Sequence, residues 1–164
     1  MPLDKLLSTL FSLGVPKELI VITVSTLPIV ELRGAIPIAI NLFDFPWYYA
    51  LLLAIAGNLV PVPLLLLFFG AISRHLSRFG IFRRWFNWLE ERARKRGKIV
   101  EKYKRIGLAL FVAIPLPVTG AWTGSLVATI FEIKFKHALP SIFIGICIAG
   151  AIVTAISLLA QKGL

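Results

Sequence analysis

The sequence predicts an all-α integral membrane protein built as two inverted repeats, each a broken re-entrant helical hairpin followed by a full transmembrane helix, with amphipathic interfacial helices added. Three observations predict it. The 164 residues are 58% hydrophobic with a mean hydropathy of +0.87, against roughly 45–50% apolar usage in a soluble domain. Apolar runs cut by Pro, Gly and single polar residues occupy most of the chain, the pattern of a lipid-embedded bundle. Finally, twelve of the eighteen Lys and Arg fall in residues 74–105 beside only three acids, a positive-inside signature between two apolar blocks.

One transmembrane domain over 1–164 follows, with repeat 1 at about 17–69, a basic cytoplasmic amphipathic link at 74–105, and repeat 2 at about 106–160. The chain is expected in the cell membrane as a multi-pass protein with 74–105 cytoplasmic. The formal charge of +10 is concentrated where it meets anionic lipid headgroups, so nucleic acid is not an expected partner. The opening MPLDKLLSTLFSLG carries an acid and no long apolar core, unlike a cleaved signal peptide.

Taken in order, Leu3, Leu6, Leu7, Leu10 and Phe11 share one helical face, too short to span but suited to the interface. From Leu19 to Phe43 the apolar stretch is cut by Pro28, Glu31, Arg33, Gly34 and Pro37. The pieces fall well short of the roughly 20 residues needed to cross, so a hairpin that enters and leaves on one side is predicted. Pro46 to Phe69 is the first full crossing, opened by Trp47, Tyr48 and Tyr49 at headgroup level. Gly57, Asn58, Pro61 and Pro63 at its centre predict a kink and a lining other than lipid.

Within the basic link, Ile81, Phe82, Trp85, Phe86 and Leu89 recur at helical spacing among arginines, as in a surface helix. Residues 106–117 and 118–131 are again two short apolar halves, joined by a break containing Pro115, Pro117, Thr119 and Gly120. After EIKFKH (132–137), residues 138–160 form the second full crossing. There Gly145 and Ala149, and Ala151 and Ala155, have the small-xxx-small spacing that favours close helix packing and is compatible with a homo-oligomer. The lone Cys147 excludes an intrachain disulfide, and His75 and His137 flank apolar segments without metal-ligand spacing.

Glu31 and Arg33 carry the sharpest functional signal, because a charge in mid-membrane costs on the order of 2.5–3.5 kcal/mol and usually faces a cavity with a partner. Either they neutralise each other at the hairpin tip, or Arg33 binds an anion or phosphate and Glu31 exchanges protons. Thr119, Trp122 and Thr123 in the second break either complete a polar cavity opposite them or repair backbone hydrogen bonds around the prolines. Asn58 is either a cavity ligand or interhelical glue. No phosphate loop, triad, metal motif or cysteine cluster is present, so neither an enzyme nor a cofactor or metal is expected.

At ELRGAIPIAI (31–40), GNLVPVP (57–63) and EKYKRIGLALFVAIPLPVTGAWTG (101–124), and over nearly its whole length, the chain resembles the putative small multidrug export protein family. That family in turn resembles the DedA and VTT-domain proteins, whose broken hairpins beside crossing helices have been read as inverted repeats and whose members are implicated in moving lipids. The resemblance places Glu31, Arg33, Pro115, Pro117, Thr119, Gly120 and Trp122 in motif positions. It departs from DedA in that residues 106–131 contain no basic residue.

Three readings follow. The first is a transporter or translocase moving an amphipathic, phosphate-bearing lipid by an ion-coupled or passive route, with Arg33, Asn58, Thr119, Trp122 and Thr123 on the substrate and Glu31 coupling protons. The second is a proton-coupled exporter of small hydrophobic cations. The third is a non-transporting membrane scaffold whose breaks serve packing.

Overall fold

The computed structural model describes residues 14–76, 98–115 and 119–161. The amphipathic stretch at 2–13, the centre of the basic link at 77–97 and Pro117 lie outside the described residues. All regular structure among the described residues is helical. The chain divides into two compact units, Met1–Asn58 with Gly150–Leu164, and Leu59–Ala149.

In the first unit, α1 (Lys17–Thr26) starts behind Pro16, whose fixed φ suits a helix start and which cannot extend one backwards. It stops before the residue preceding Pro28, a position biased away from helix. The chain turns through 27–30 and re-enters helix at α2 (Glu31–Pro37), which runs into one π-helical turn, Ile38–Leu42. Ten residues of α1 span about 15 Å, half a hydrocarbon core. Ile20, Val21 and Val24 of α1 and Leu32, Ala35, Ile36 and Ala39 beyond the turn are buried at helical spacing, and α1 packs against α2 through them. The two ends of this broken segment meet: Lys17 Nζ lies 5.7 Å from the centroid of the buried Phe43 ring.

The helix α3 (Trp47–Leu59) follows, with Trp47 and Tyr48 half exposed at its start. It leans closely on α1. A Cβ on Gly57 would come within 2.5 Å of the Ile22 carbonyl oxygen, so only glycine permits this approach. Ser25 Oγ donates to the Ala54 carbonyl at 2.6 Å in the same contact. The sequence reading of Gly57 as a kink residue is thus refined: the helix steps at Val60, and Gly57 serves packing.

In the second unit α4 (Pro61–Leu76) begins with Pro61 and Pro63 in its first turn, where a missing N–H leaves no intrahelical bond unmade. A kink at Lys104 (φ 41°) divides α5 (Lys98–Ala113), leaving a short apolar piece up to Ala113. Gly120 follows the break with φ 148° and ψ −167°, a conformation essentially reserved for glycine. From it starts α6 (Ala121–Ile130), whose residues Gly124 to Ala128 are all buried and which packs on α4 and α5. Gly145, near the middle of α7 (Phe135–Gln161), sits against Ala109 and Val112 of α5. The Gly145/Ala149 pair therefore packs inside the unit, whereas Ala151 and Ala155 face outwards.

The ends of this second broken segment also meet, Arg105 Nη2 lying 2.6 Å from His137 Nε2. Two stretches are long and apolar enough to cross a membrane, Trp47–Phe68 and Phe135–Gln161. At 1.5 Å per residue the shorter measures about 33 Å, matching a hydrocarbon core of about 30 Å. A soluble core helix would bury such side chains. Here Leu52, Leu64 and Leu67, and Ile144, Ile148, Ile152 and Ile156, are exposed.

Candidate functional site

Glu31 opens α2 directly after the turn, and its backbone is left-handed (φ 50°). For a residue with a Cβ this costs roughly 1–2 kcal/mol, strain that persists only where the surroundings fix it. Its N–H is bonded to the Leu27 carbonyl at 2.9 Å, which closes the turn. Glu31 is buried, 5% exposed, as are Leu32, Ala35 and Ile36 of the same helix. Arg33 is half-buried two positions on, and the Glu31 charge acts on its guanidinium. An acid and a base are thus held in one apolar half-helix, and each lowers the cost of the other's charge.

Pro28 sits exposed in the turn, while Gly34 and Pro37 lie inside α2. A Cβ on Gly34 would collide with the Val30 side chain, so the turn folds back tightly over it. Pro37 lacks an N–H, and the π turn follows it, with the Phe43 N–H bonded to Ile38 O at 3.2 Å.

Asn58 also belongs to the first unit and is 1% exposed, yet neither its amide nitrogen nor its oxygen has a hydrogen-bond partner. The Thr154 hydroxyl, in the same unit, is buried and unpartnered too. Sequence spacing singled out Asn58 but passed over Thr154, because a threonine in an apolar helix ordinarily bonds the carbonyl one turn back. Ser141 and Ser157 do that here, at 2.8 Å each.

In the second unit, Thr119 Oγ1 donates to Ile114 O at 2.6 Å, satisfying a carbonyl freed where α5 ends before Pro115. Thr123 Oγ1 reaches Gly120 O at 3.4 Å, and Trp122 is half-buried beside it in the first turn of α6. Both threonine hydroxyls therefore donate to backbone carbonyls at the break.

Short broken helices, one of them carrying a buried acid and a base, together with two apolar helices of spanning length, mark an all-helical protein of membrane type. The family described as Putative small multi-drug export protein matches residues 31–152, and the chain belongs to it. The match begins at Glu31, just after the first turn, and takes in α2, the second break and both long apolar helices up to Ile152. No curated protein and no solved structure matches the chain.

Proposed function

We propose that the protein is a multi-pass transporter whose two broken segments are re-entrant hairpins, and that it moves an amphipathic, phosphate-bearing anion by an ion-coupled or passive route. One observation carries this: the buried Glu31 in strained backbone beside the half-buried Arg33 in an otherwise apolar half-helix. Arg33 keeps its charge at any accessible pH and offers a fork for phosphate, but cannot release it in response to protons. Glu31 supplies the switch. Ionised, it competes for Arg33; protonated, it frees the guanidinium for the anion.

The meeting ends of each broken segment, Lys17 with Phe43 and Arg105 with His137, support the hairpin reading, since groups in contact cannot lie across a core of about 30 Å. The repeated order of broken segment then long helix supports inverted repeats, with the basic link 74–105 cytoplasmic and drawn to anionic headgroups. No covalent step is needed for such a function.

Purified protein in liposomes is expected to accelerate flipping of a labelled anionic lipid, more so at lower pH. Arg33→Gln abolishes the effect, and Glu31→Gln weakens its pH dependence. A second reading, proton-coupled export of small hydrophobic cations, is favoured by the family description and by Glu31 being more buried than Arg33. It prevails if a lipophilic cation moves in the same vesicles, requires Glu31 and survives Arg33→Gln while the lipid stays in place. Movement of neither substrate supports a scaffold.

A further inference from the structure

In the second unit a group of cations gathers where α5 and α7 begin their apolar runs. Arg105 Nη2 contacts His137 Nε2 at 2.6 Å, and the charges acting on the imidazole are those of Arg105, Lys136 and Lys134. Arg105, Lys134 and Lys136 are exposed; among the described side chains, Lys104 and Glu132 are exposed charged neighbours in sequence. A guanidinium can only donate, so His137 Nε2 accepts and the neutral ring carries its proton on Nδ1. Protonated, His137 loses that acceptor and becomes a cation in contact with another. The first turn of α7 contains no acid, so its basic residues also sit at the positive end of a long helix dipole, where cations are disfavoured and an anion is favoured.

The surface beyond these charges is apolar. Ile144 and Ile148 follow His137 by seven and eleven residues along α7, which returns them to its side of the helix, and both are exposed. Ile106 and Leu110 beyond Arg105 are exposed as well. Charge at one end and lipid-facing side chains running from it match an anionic phospholipid, headgroup and tails together, better than a free anion.

We propose that Arg105, Lys134, Lys136 and His137 form an interfacial site for the phosphate of an anionic phospholipid, and that protonation of His137 tightens it. An anion placed between the guanidinium and the imidazolium removes their repulsion, so binding and proton uptake favour each other. The site concerns a lipid held at the surface of the second unit, and it stands whether or not any lipid crosses the membrane.

The test uses the full chain in neutral detergent, counting one-to-one adducts by native mass spectrometry with dihexanoyl phosphatidylglycerol, dihexanoyl phosphatidylcholine and inorganic phosphate. Phosphatidylglycerol is expected to bind well ahead of phosphatidylcholine, and more tightly at pH 5.5 than at 7.5. Arg105→Gln, and separately Lys134→Gln with Lys136→Gln on exposed positions, are expected to weaken it about fivefold per lost basic contact, at unchanged melting temperature. His137→Gln, which still accepts from Arg105, keeps the pH 7.5 affinity and loses the tightening. Equal binding of the two lipids, or unchanged affinity in both the Arg105 and the lysine variants, overturns the site. Displacement of phosphatidylglycerol by an equal concentration of inorganic phosphate makes it a free-phosphate site instead, and persistence of the pH effect in His137→Gln overturns the switch.

Discussion

Lys17 Nζ sits over the ring of Phe43, 5.7 Å from its centroid, although α1, the turn and α2 all lie between them in sequence. The contact returns the chain to where α1 began before α3 starts, and Arg105 with His137 does the same around the second break. If each closure is a re-entrant hairpin, as proposed, both of its ends lie on one side of the membrane. After Cys147 is replaced, a cysteine at position 134 is expected to be labelled by an impermeant maleimide from the same side as one at 104, the cytoplasmic side. Labelling of 134 from outside only means that residues 106–131 carried the chain across, and the hairpin is then wrong.

The approach of α1 to α3 separates a steric effect from a hydrogen-bonding one. Gly57→Ala forces a methyl against the backbone of Ile22, and overpacking of this kind costs typically about 1–3 kcal/mol. Ser25→Ala removes only the bond to Ala54 O, and such bonds average about 0.6 kcal/mol in membrane proteins. Thermal melting in detergent is expected to rank Gly57→Ala well below Ser25→Ala, with wild type highest. The reverse order would mean that the hydroxyl, not the close approach, holds the helices together.

Asn58 combines near-complete burial with an unpartnered amide, an arrangement that costs about 1–3 kcal/mol in soluble proteins. Asn58→Leu is therefore expected to raise the melting temperature while lowering substrate flux in liposomes. Thr154→Val tests whether the second orphan hydroxyl follows the same rule. A destabilised Asn58→Leu with intact flux would assign the amide to interhelical packing.

Breaks and spans were legible because they rest on local chemistry. Pro28 and Pro115 stand just beyond helix ends and Gly120 just before a helix start, whereas Pro37 stays inside α2 and shows only as the π turn after it, and the apolar runs from Trp47 and from Phe135 have the length to cross. Glu31 and Arg33 stood out because a charge has no reason to be among isoleucines and leucines unless something uses it. What escaped the sequence is tertiary. Nothing local distinguishes Ser25 from the other hydroxyls of α1, Thr23 and Thr26, which bond their own helix; only the proximity of Ala54 gives Ser25 a different acceptor. His137 showed no partner at any ligand spacing, since Arg105 is 32 residues away. The left-handed φ of Glu31 was equally hidden, as such strain is imposed by surrounding packing rather than by residue type.

Glu31 and Arg33 stand two residues apart in α2, and the Glu31 charge acts on the Arg33 guanidinium. Burial of a carboxylate in an apolar half-helix is tolerable only with compensation, and the nearby charge acting with it is Arg33. Removing Arg33 alone takes its compensation away from Glu31, a penalty of roughly 3–5 kcal/mol for buried pairs in soluble proteins. Removing both charges, as Arg33→Ala with Glu31→Gln, discards the attraction and the desolvation cost together, and such exchanges are often close to neutral. Arg33→Ala is therefore expected to melt lower in detergent than the double variant, and raising the pH is expected to widen the gap, because ionisation of the stranded carboxylate is what the single variant cannot accommodate. Equal melting of single and double variants across pH would show that each charge answers to a different partner, and the acid–base switch assigned to them would then lose its physical basis.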